Sequence, residues 1–495
     1  MADSLHLILR LSQSAPLDVE FLFEGMGPPE DDENRAIFNA FLEPIMNEAH
    51  RWRHLRIDQW EHHTNDSATE HILLPLQDRL TSLESFALED MGMEDSTLLS
   101  AFRGTLGDSN TTFRTLHIHT NDHDLYQLFT IPGGFPFQSI RHIYMDNSLR
   151  TSLELISLCP NLITAHFDIP ALNAKENWED LPRPGPQYAD VLSDRATPHL
   201  LPYLKELTIG VTCMLWRRTL ADYPFADVGC VVASIKAPAL ASLKLISDGL
   251  CSRDPFDYNI QTTGREDFTS GLTTLLETSN RVNELQLWHL PIRDTELIAV
   301  LEKLPRLRSL DFKEVGKVKF GFSDTDKEEN HGGSSPTSDS DSDHDPYAYS
   351  EASTTDDEDD MDRVPKPNST ITTELLSWLT WNFDDSRPKI NLPELRRIRL
   401  RFRDFKSLQT AFEDMFESRL SPSYSLPYIC PLRSAFILCT HNGYDKYDWA
   451  RMKRLQAGGL VIRLMYNWDI DSEDPPVEEE ETRFCDTDWR TLGYI

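Results

Sequence analysis

The stretch LPELRRIRLRF, from Leu392 to Phe402, decides the fold. Its proline ends any preceding helix and favours an extended backbone, because proline lacks an amide hydrogen and restricts the residue before it. After the proline, Leu395, Ile398 and Leu400 follow the spacing apolar-x-x-apolar-x-apolar. The alternation at the end of the stretch predicts a strand, since successive strand residues face opposite sides of a sheet. One side of this strand is apolar and the other is lined with arginine.

The same spacing recurs along the chain. Eleven segments carry it, and they begin at Trp52, Leu83, Phe113, Ile140, Leu162, Leu204, Leu240, Val282, Leu307, Leu395 and Leu432. Their central apolar residues lie 22 to 42 residues apart, except for one interval of 88 residues. Proline introduces several of them, in CPNL, LPYL, APAL, LPRL, LPEL and CPL. Apolar residues at every third or fourth position predict helices in the upstream stretches TSLELISLC, FTSGLTTLLETSN, TELIAVLEKL and TELLSWLTW.

Helix, proline turn and strand in repeated order predict an α/β fold of the leucine-rich-repeat type. We expect an irregular solenoid with a curved parallel sheet inside and helices and loops outside. Two features depart from the usual pattern: most intervals exceed the usual length of about 20–29 residues, and the turn asparagine occurs only at Asn121. A non-repetitive α/β domain whose strands follow helices is therefore the alternative.

The distribution of charged and apolar residues divides the chain into four parts. We expect residues 1–321 to form the N-terminal part of the solenoid and residues 365–466 its C-terminal part. Residues 322–364 are rich in serine and aspartate and predict a disordered acidic insertion, because they contain too little apolar surface to offset the entropy of ordering. Residues 467–495 form an acidic tail. The insertion is either a solvated linker or a target of acidophilic kinases, with an acid three residues after each of Ser338, Ser340, Ser342, Ser353, Thr354 and Thr355.

Composition argues against several classes of function. The net charge of −33 opposes general attraction to nucleic acid or to an anionic membrane. No apolar run reaches about 18 residues, so we expect no transmembrane helix. The seven cysteines form no CxxC pair, which indicates the reduced thiols of a cytoplasmic or nuclear protein. No phosphate-binding loop, GxGxxG, GxSxG or HExxH motif occurs, so we expect no enzyme activity, no cofactor and no metal.

The repeat model predicts a binding surface. The residue between the last two apolar positions of each segment, and the residue two places later, face the inside of the curve. These rows are acidic toward the N-terminal end, rich in histidine and aromatic residues in the middle, and basic toward the C-terminal end. Such a surface is typical of protein or peptide binding. The candidate partner-binding residues are His117, His119, Tyr144, His166, Lys244, Trp288, Arg397, Arg399, Arg401 and Arg403.

Alternatives are open for three of these groups. The four arginines form either a solvated strand with local salt bridges or a wall for an acidic or phosphorylated peptide; contact with nucleic acid is the third interpretation, and the negative surroundings oppose it. His117 and His119 have the spacing of a weak metal motif, but we expect them to be solvated or to face a partner. Tyr144 and Trp288 either face the partner or pack beneath a neighbouring loop.

Several segments, in their order, carry a resemblance to a known family. They are LRLSQSAPLDVEF, FLEPIMNEAHRWRHLRI, LCPNL, APALASLKL and LPRLRSLDF. Over most of Leu9 to Leu464 the chain resembles the leucine-rich region of F-box proteins from mushroom-type fungi. The resemblance implies a module that selects proteins for ubiquitination; the alternatives are a free-standing leucine-rich-repeat scaffold without a ligase partner and, third, a cryptic enzyme.

In that family an F-box, which docks on a Skp-type adaptor of a cullin ubiquitin ligase, precedes the APLDV segment. Only about fifteen residues precede this segment in the present chain, so we expect no F-box in it. Binding of a Skp-type adaptor is therefore left open by the resemblance.

Overall fold

A computed structural model describes much of the chain but not all of it. The described residues are 2–23, 32–59, 76, 79–90, 112–120, 136–146, 149–170, 198–212, 225–247, 265–290, 292–314, 370–382, 390–402, 408–420, 430–439, 449–457 and 461–466. The six predicted phosphorylation sites, the acidic insertion and tail, and Arg403 lie outside these ranges. Every structural statement below concerns the described residues.

Fifteen strands are found in the described part of the chain. They are β1 (Leu17–Phe23), β2 (Trp52–Gln59), β3 (Ser85–Asp90), β4 (Thr115–Thr120), β5 (His142–Asp146), β6 (Thr164–Pro170), β7 (His199–Leu200), β8 (Glu206–Thr212), β9 (Ile235–Lys236), β10 (Ser242–Ser247), β11 (Glu284–Trp288), β12 (Ser309–Lys313), β13 (Arg397–Phe402), β14 (Ser434–Cys439) and β15 (Val461–Tyr466). All of them except β7 and β9 form one parallel sheet, and the strand order in the sheet follows the order along the chain. The short strands β7 and β9 pair with each other.

Helices precede many of these strands. They are α1 (Ala2–Ser12), α2 (Asp32–Asn47), α3 (Leu149–Leu158), α4 (Phe225–Ala233), α5 (Arg265–Thr278), α6 (Asp294–Glu302), α7 (Thr373–Leu379), α8 (Gln409–Leu420) and α9 (Trp449–Ala457). The four helices expected from sequence periodicity are confirmed as α3, α5, α6 and α7. None of the helices in the described ranges is long and apolar enough to cross a membrane. The chain is thus an α/β protein built around a parallel sheet.

All eleven predicted strand segments lie in the large sheet, as β2 to β6, β8 and β10 to β14. The sheet has one further strand at each edge, β1 and β15, which the recurring spacing did not reveal. In both, the first of the three expected apolar positions is occupied by another residue type, Pro16 before β1 and Gly459 before β15. An edge strand covers only one neighbour, so the core does not require the full apolar triplet there.

A hydrogen-bonded turn introduces several strands. In the LPEL turn the amide of Leu395 donates to the carbonyl of Leu392 at 3.2 Å, and in the LPRL turn the amide of Leu307 donates to the carbonyl of Leu304 at 3.1 Å. Proline occupies the second position of each turn, where its fixed φ suits the geometry. The proline of the sequence pattern is therefore part of a specific turn and not only the end of a helix.

A ladder of carbonyl groups then joins successive units. Each carbonyl accepts the amides of two consecutive residues of the next unit, at 2.7 to 3.2 Å. For example, the carbonyl of Arg308 accepts from Arg396 and Arg397, and that of Arg396 accepts from Arg433 and Ser434. The other carbonyls in this ladder belong to Glu84, Arg114, Arg141, Ile163, Lys205, Ala241 and Asn283. The same local geometry thus recurs at the start of each strand of the large sheet from β4 to β14.

The core lies on one face of the sheet. The apolar residues of the repeated spacing, such as Leu307, Leu310 and Phe312, are at most 1% exposed, and they pack in one cluster with helix residues such as Leu272 and Phe412. Full burial of a side chain of this size contributes about 2 kcal/mol. Because the helices pack against this apolar face, the opposite face of the sheet is left for polar side chains.

Candidate binding face

The polar side of the large sheet, which we call the open face, consists of residue rows that cross the strands. One row runs in register through Arg56, Ala87, His117, Tyr144, His166, Thr208, Lys244, Gln286, Asp311, Arg399 and Phe436. All of these residues are partly exposed, whereas the residues before and after each of them are buried. The predicted alternation of buried and partly exposed positions is therefore found along this row; that the row faces a partner stays a prediction.

The arginines of β13 follow the predicted pattern. Arg397 is exposed, and Arg399 and Arg401 are partly exposed. Between and after them, Ile398, Leu400 and Phe402 are at most 2% exposed, on the opposite side of the strand. The three described arginines therefore line the open face.

Arg399 is held by a negative group and by an aromatic ring. Its Nη1 lies 3.6 Å from Asp311 Oδ2, and its Cζ lies 5.0 Å from the centre of the Phe436 ring. Asp311 is fixed in turn, because Trp288 Nε1–H donates to its Oδ1 at 3.0 Å. The Nζ of Lys313 lies 3.7 Å from the centre of the Trp288 ring. Rings and one carboxylate thus order the basic side chains at this end of the sheet.

Trp288 and Lys313 differ from the sequence expectation in their exposure. Trp288 and Lys313 occupy the predicted open-face positions two residues after Gln286 and Asp311. However, Trp288 is only 5% exposed and Lys313 only 4% exposed. The indole is covered because Lys313 lies over its ring and its N–H points at Asp311. Trp288 therefore does not offer its ring to a partner as predicted; it supports the groups that do face solvent.

His289 follows directly after β11 in this region. Its Nδ1 lies 3.0 Å from the carbonyl oxygen of Ser247. Burial is the main cause that lowers the pKa of His289 to about 4; Lys313 and Arg401 lower it further, while the bond to Ser247 opposes the shift. The histidine is therefore neutral at physiological pH, with a proton on Nδ1 donated to Ser247. Nothing in the repeated sequence pattern pointed to this residue.

The centre of the open face carries three rings in register on β4, β5 and β6. The ring centres of His117 and Tyr144 are 5.8 Å apart, and those of Tyr144 and His166 are 6.2 Å apart. His166 Nε2 lies 3.1 Å from Asp168 Oδ2. A Cβ atom on Gly210 would lie 1.7 Å from Asp168 Oδ1, so a larger residue at this position of β8 would require that carboxylate to move.

The remaining candidates of the central region are less informative. Lys244 is partly exposed, between Thr208 and Gln286 in the same row. His119 pairs in register with Glu89 on the neighbouring strand. Within the described ranges, no three histidine, cysteine, aspartate or glutamate residues are grouped so that they could hold a metal ion.

The N-terminal end of the open face is acidic. Arg56 lies 3.4 Å from a carboxylate oxygen of Glu20 and 3.4 Å from one of Asp58. His54 Nε2 lies 3.9 Å from Asp18 Oδ1. The predicted gradient from acidic to basic residues along the sheet is therefore present in the placement of these residues.

Arg419 lies on the buried side of the sheet and stabilises its basic end. This residue was not identified from the sequence. It is fully buried in α8, and its guanidinium donates to the carbonyls of Leu379, Asn391 and Leu392 at 2.8, 2.9 and 3.3 Å. Burial lowers the pKa of Arg419 to about 9. A sequence signal exists, because Arg419 lies at helical spacing from the apolar residues Phe412 and Phe416, on the buried stripe of the helix.

A second arginine fixes α9 against α8. The guanidinium of Arg451 donates to Glu413, Asp414 and Glu417 at 3.2, 2.7 and 2.6 Å respectively. The hydrogen bond from Arg451 is the main cause that lowers the pKa of Glu417. These contacts hold the last described helix against α8.

Comparison with known proteins gives no further indication of function. No protein-family model matches the chain, and no curated protein sequence matches it.

Proposed function

We propose that the chain is a protein–protein interaction module, built as an irregular leucine-rich-repeat solenoid, whose open face binds a protein or peptide. The observation that carries this proposal is the unbroken row of partly exposed side chains from Arg56 to Phe436. It crosses eleven adjacent strands of the sheet. A row that is regular in position but varied in chemistry suits recognition of an extended surface.

The repeated local geometry supports the solenoid interpretation. Each strand lies beside the strand that precedes it in the large sheet, and the same carbonyl ladder joins successive units. Units that contact only their sequence neighbours are the defining property of repeat proteins.

The size of the open face favours a macromolecular ligand. Eleven strands at about 4.8 Å spacing give a row about 48 Å long. Three open-face residues along each strand make the surface about 13 Å wide, so its area is about 600 Å². A standard protein interface buries about 800 Å² on each partner, whereas a small ligand needs an enclosed cavity.

The resemblance to F-box proteins leads to a more specific proposal, namely that the bound proteins are targets of ubiquitination. A Skp-type adaptor is the partner that distinguishes this role from a free-standing scaffold. Purified chain and adaptor, mixed and analysed by pull-down, provide the test. Recovery of the adaptor supports target selection for a ligase, and its clean absence favours the scaffold.

The open face itself is tested with surface variants. Tyr144→Ala and Lys244→Glu alter the face, and Arg306→Glu changes an exposed arginine in the turn before β12. Partners captured from cells by the wild-type chain are identified and purified, and their affinities for the variants are measured by calorimetry. We expect each face variant to weaken binding about tenfold or more, with no effect of Arg306→Glu. Unchanged affinity in both face variants would refute the proposed function.

A further inference from the structure

Four basic side chains share two adjacent strands of the open face. Arg397, Arg399 and Arg401 alternate along β13, and Lys313 on β12 pairs in register with Arg401. Alternate residues of a strand are about 6.7 Å apart and neighbouring strands about 4.8 Å apart, so the four residues lie within about 14 Å. Asp311 is the single acidic residue among the open-face positions of β12, β13 and β14. An anion placed over β13 would relieve the repulsion among these cations.

Asp311 supplies one negative charge beside these four cations. Its Oδ1 accepts the N–H of Trp288, and its Oδ2 lies 3.6 Å from Arg399. A charge-assisted hydrogen bond is shorter, about 2.8 Å. The side chain of Arg399 is 42% exposed. A ligand oxygen that approaches from solvent can therefore make a shorter contact with this guanidinium than Asp311 does.

The basic groups are ordered before a ligand arrives. The ring of Phe436 lies beside the guanidinium of Arg399, and the ring of Trp288 lies under the Nζ of Lys313. Cation–π contacts of this kind hold a long side chain in one conformation. Binding then costs less side-chain entropy than it would with freely rotating cations.

His289 lies close enough to two of these cations for their charge to affect it. After burial, the next causes that lower its pKa are the charges of Lys313 and Arg401. Both cations thus act on a neighbouring group across a partly buried space.

We propose that β12, β13 and β14 bind a partner segment that carries anionic side chains at alternate positions, either phosphoserine or acidic residues. An extended segment that runs along β13 places alternate side chains about 6.7 Å apart, which matches Arg397, Arg399 and Arg401. Phosphate suits this surface best, because it carries more charge than a carboxylate and fits the guanidinium fork in a bidentate way. This inference rests on the proposed function and adds the chemistry of the ligand.

Binding to the full chain is measured by fluorescence anisotropy with labelled peptides of twelve residues. Glycine and alanine occupy the positions that are the same in every peptide. One peptide carries three phosphoserines at alternate positions; companions carry three glutamates or three serines at those positions, or three consecutive phosphoserines. A twelve-nucleotide oligouridine represents nucleic acid. We expect the alternate phosphopeptide to bind about tenfold or more tightly than the serine peptide and more tightly than the consecutive one. The glutamate peptide should bind with intermediate affinity.

Two matched double variants locate the site. Arg399→Ala with Arg401→Ala should weaken the phosphopeptide about tenfold or more. Arg281→Ala with Arg306→Ala removes the same charge from exposed turn residues and should have little effect. Equal binding of the phosphopeptide and the serine peptide, or equal effects of the two double variants, would overturn the inference. Tighter binding of the oligouridine with the same arginine dependence would also overturn it, because the surface would then recognise a nucleic-acid backbone.

Failure of the anionic-ligand inference can be distinguished from failure of the proposed function. A cellular partner that is weakened by Tyr144→Ala but not by the Arg399 and Arg401 double variant would leave the open face as a binding surface and remove only the anionic ligand. A partner whose affinity is unchanged in all of these variants would overturn both the proposed function and the anionic-ligand inference.

Discussion

His289 provides a direct test of the electrostatics at the basic end of the sheet. The residue has a left-handed backbone with φ of 53°, and its amide donates to the carbonyl of Lys313 at 2.9 Å. Its imidazole donates from Nδ1 to Ser247. Burial, with Lys313 and Arg401, lowers the pKa of the ring to about 4. The folded protein therefore carries a neutral imidazole at a pH where the unfolded chain carries a charged one.

The replacement His289→Asn removes the titration with little other change. Asparagine tolerates the left-handed region better than most residues, and its amide can donate to the Ser247 carbonyl. An unfolded histidine has a pKa of about 6.5 and takes up a proton below that pH, whereas the folded one does so only near pH 4. The wild type therefore loses stability as the pH falls through this window. Between pH 7.5 and 5.5 the loss from this single residue is about 1 kcal/mol.

Urea denaturation of the wild type and His289→Asn at pH 7.5, 6.5 and 5.5 measures this effect. Other titrating groups cancel in the difference between the two proteins, and the range stays above the sequence pI of 4.8. We expect the free energy of unfolding of the wild type to fall relative to the variant by about 1 kcal/mol over the range. In NMR spectra, the imidazole of His289 should stay neutral at pH 5.5. A constant difference between the proteins, or a protonated ring at pH 5.5, would refute the reasoning.

Three further predictions concern the groups that support the sheet. Arg419→Met removes the donor for three buried carbonyls, so the free energy of unfolding should fall by about 3 kcal/mol in chemical denaturation. Gly210→Ala forces the Asp168 carboxylate to move and should cost about 2 kcal/mol, of which Asp168→Ala in the same chain should restore a part. Arg451→Ala should cost about 1 kcal/mol at pH 7. Because the pKa of Glu417 is lowered in the folded state, its contribution is present above the unfolded pKa and is lost as the pH falls through the folded pKa.

Each of these predictions has its own control. The control for Arg419→Met is Arg306→Met, at an exposed turn position, which should change the free energy of unfolding by less than about 0.5 kcal/mol. If Arg419→Met changed it as little as Arg306→Met does, the carbonyl contacts of Arg419 would contribute nothing. For Gly210→Ala, destabilisation that Asp168→Ala does not relieve would show that the clash is not the cause. For Arg451→Ala, a loss that persists unchanged in 1 M salt would contradict an ion-pair origin, because surface pairs are screened.

The strands were predictable because their signal is local and repeated. Leu395, Ile398 and Leu400 show the pattern of a strand that is buried on one face, and ten other segments show it too. The same alternation predicted which residues face solvent, and Arg399 is among them. The strands β1 and β15 were missed, because Pro16 and Gly459 occupy the first position of the apolar triplet.

The chemistry of the site was less predictable than its position. Periodicity placed Trp288 on the open face, but its burial depends on Lys313, a residue 25 positions later in the sequence. The low pKa of His289 comes mainly from burial, with smaller contributions from Lys313 and from Arg401, which is further still along the chain. Arg419 had a recognisable helical position, but the carbonyls that it binds come from α7 and from the turn before β13.

The sequence by itself determined which residues are apolar, where the strands begin and which side chains share a face, since these follow from the two-residue period of a strand and from proline turns. Tertiary structure decided the register of each strand with its neighbour. That register sets Asp311 beside Arg399, and it places Lys313 over the ring of Trp288. The physical reason is that charge, burial and pKa depend on distances between residues far apart in the chain, and only the packed sheet establishes those distances.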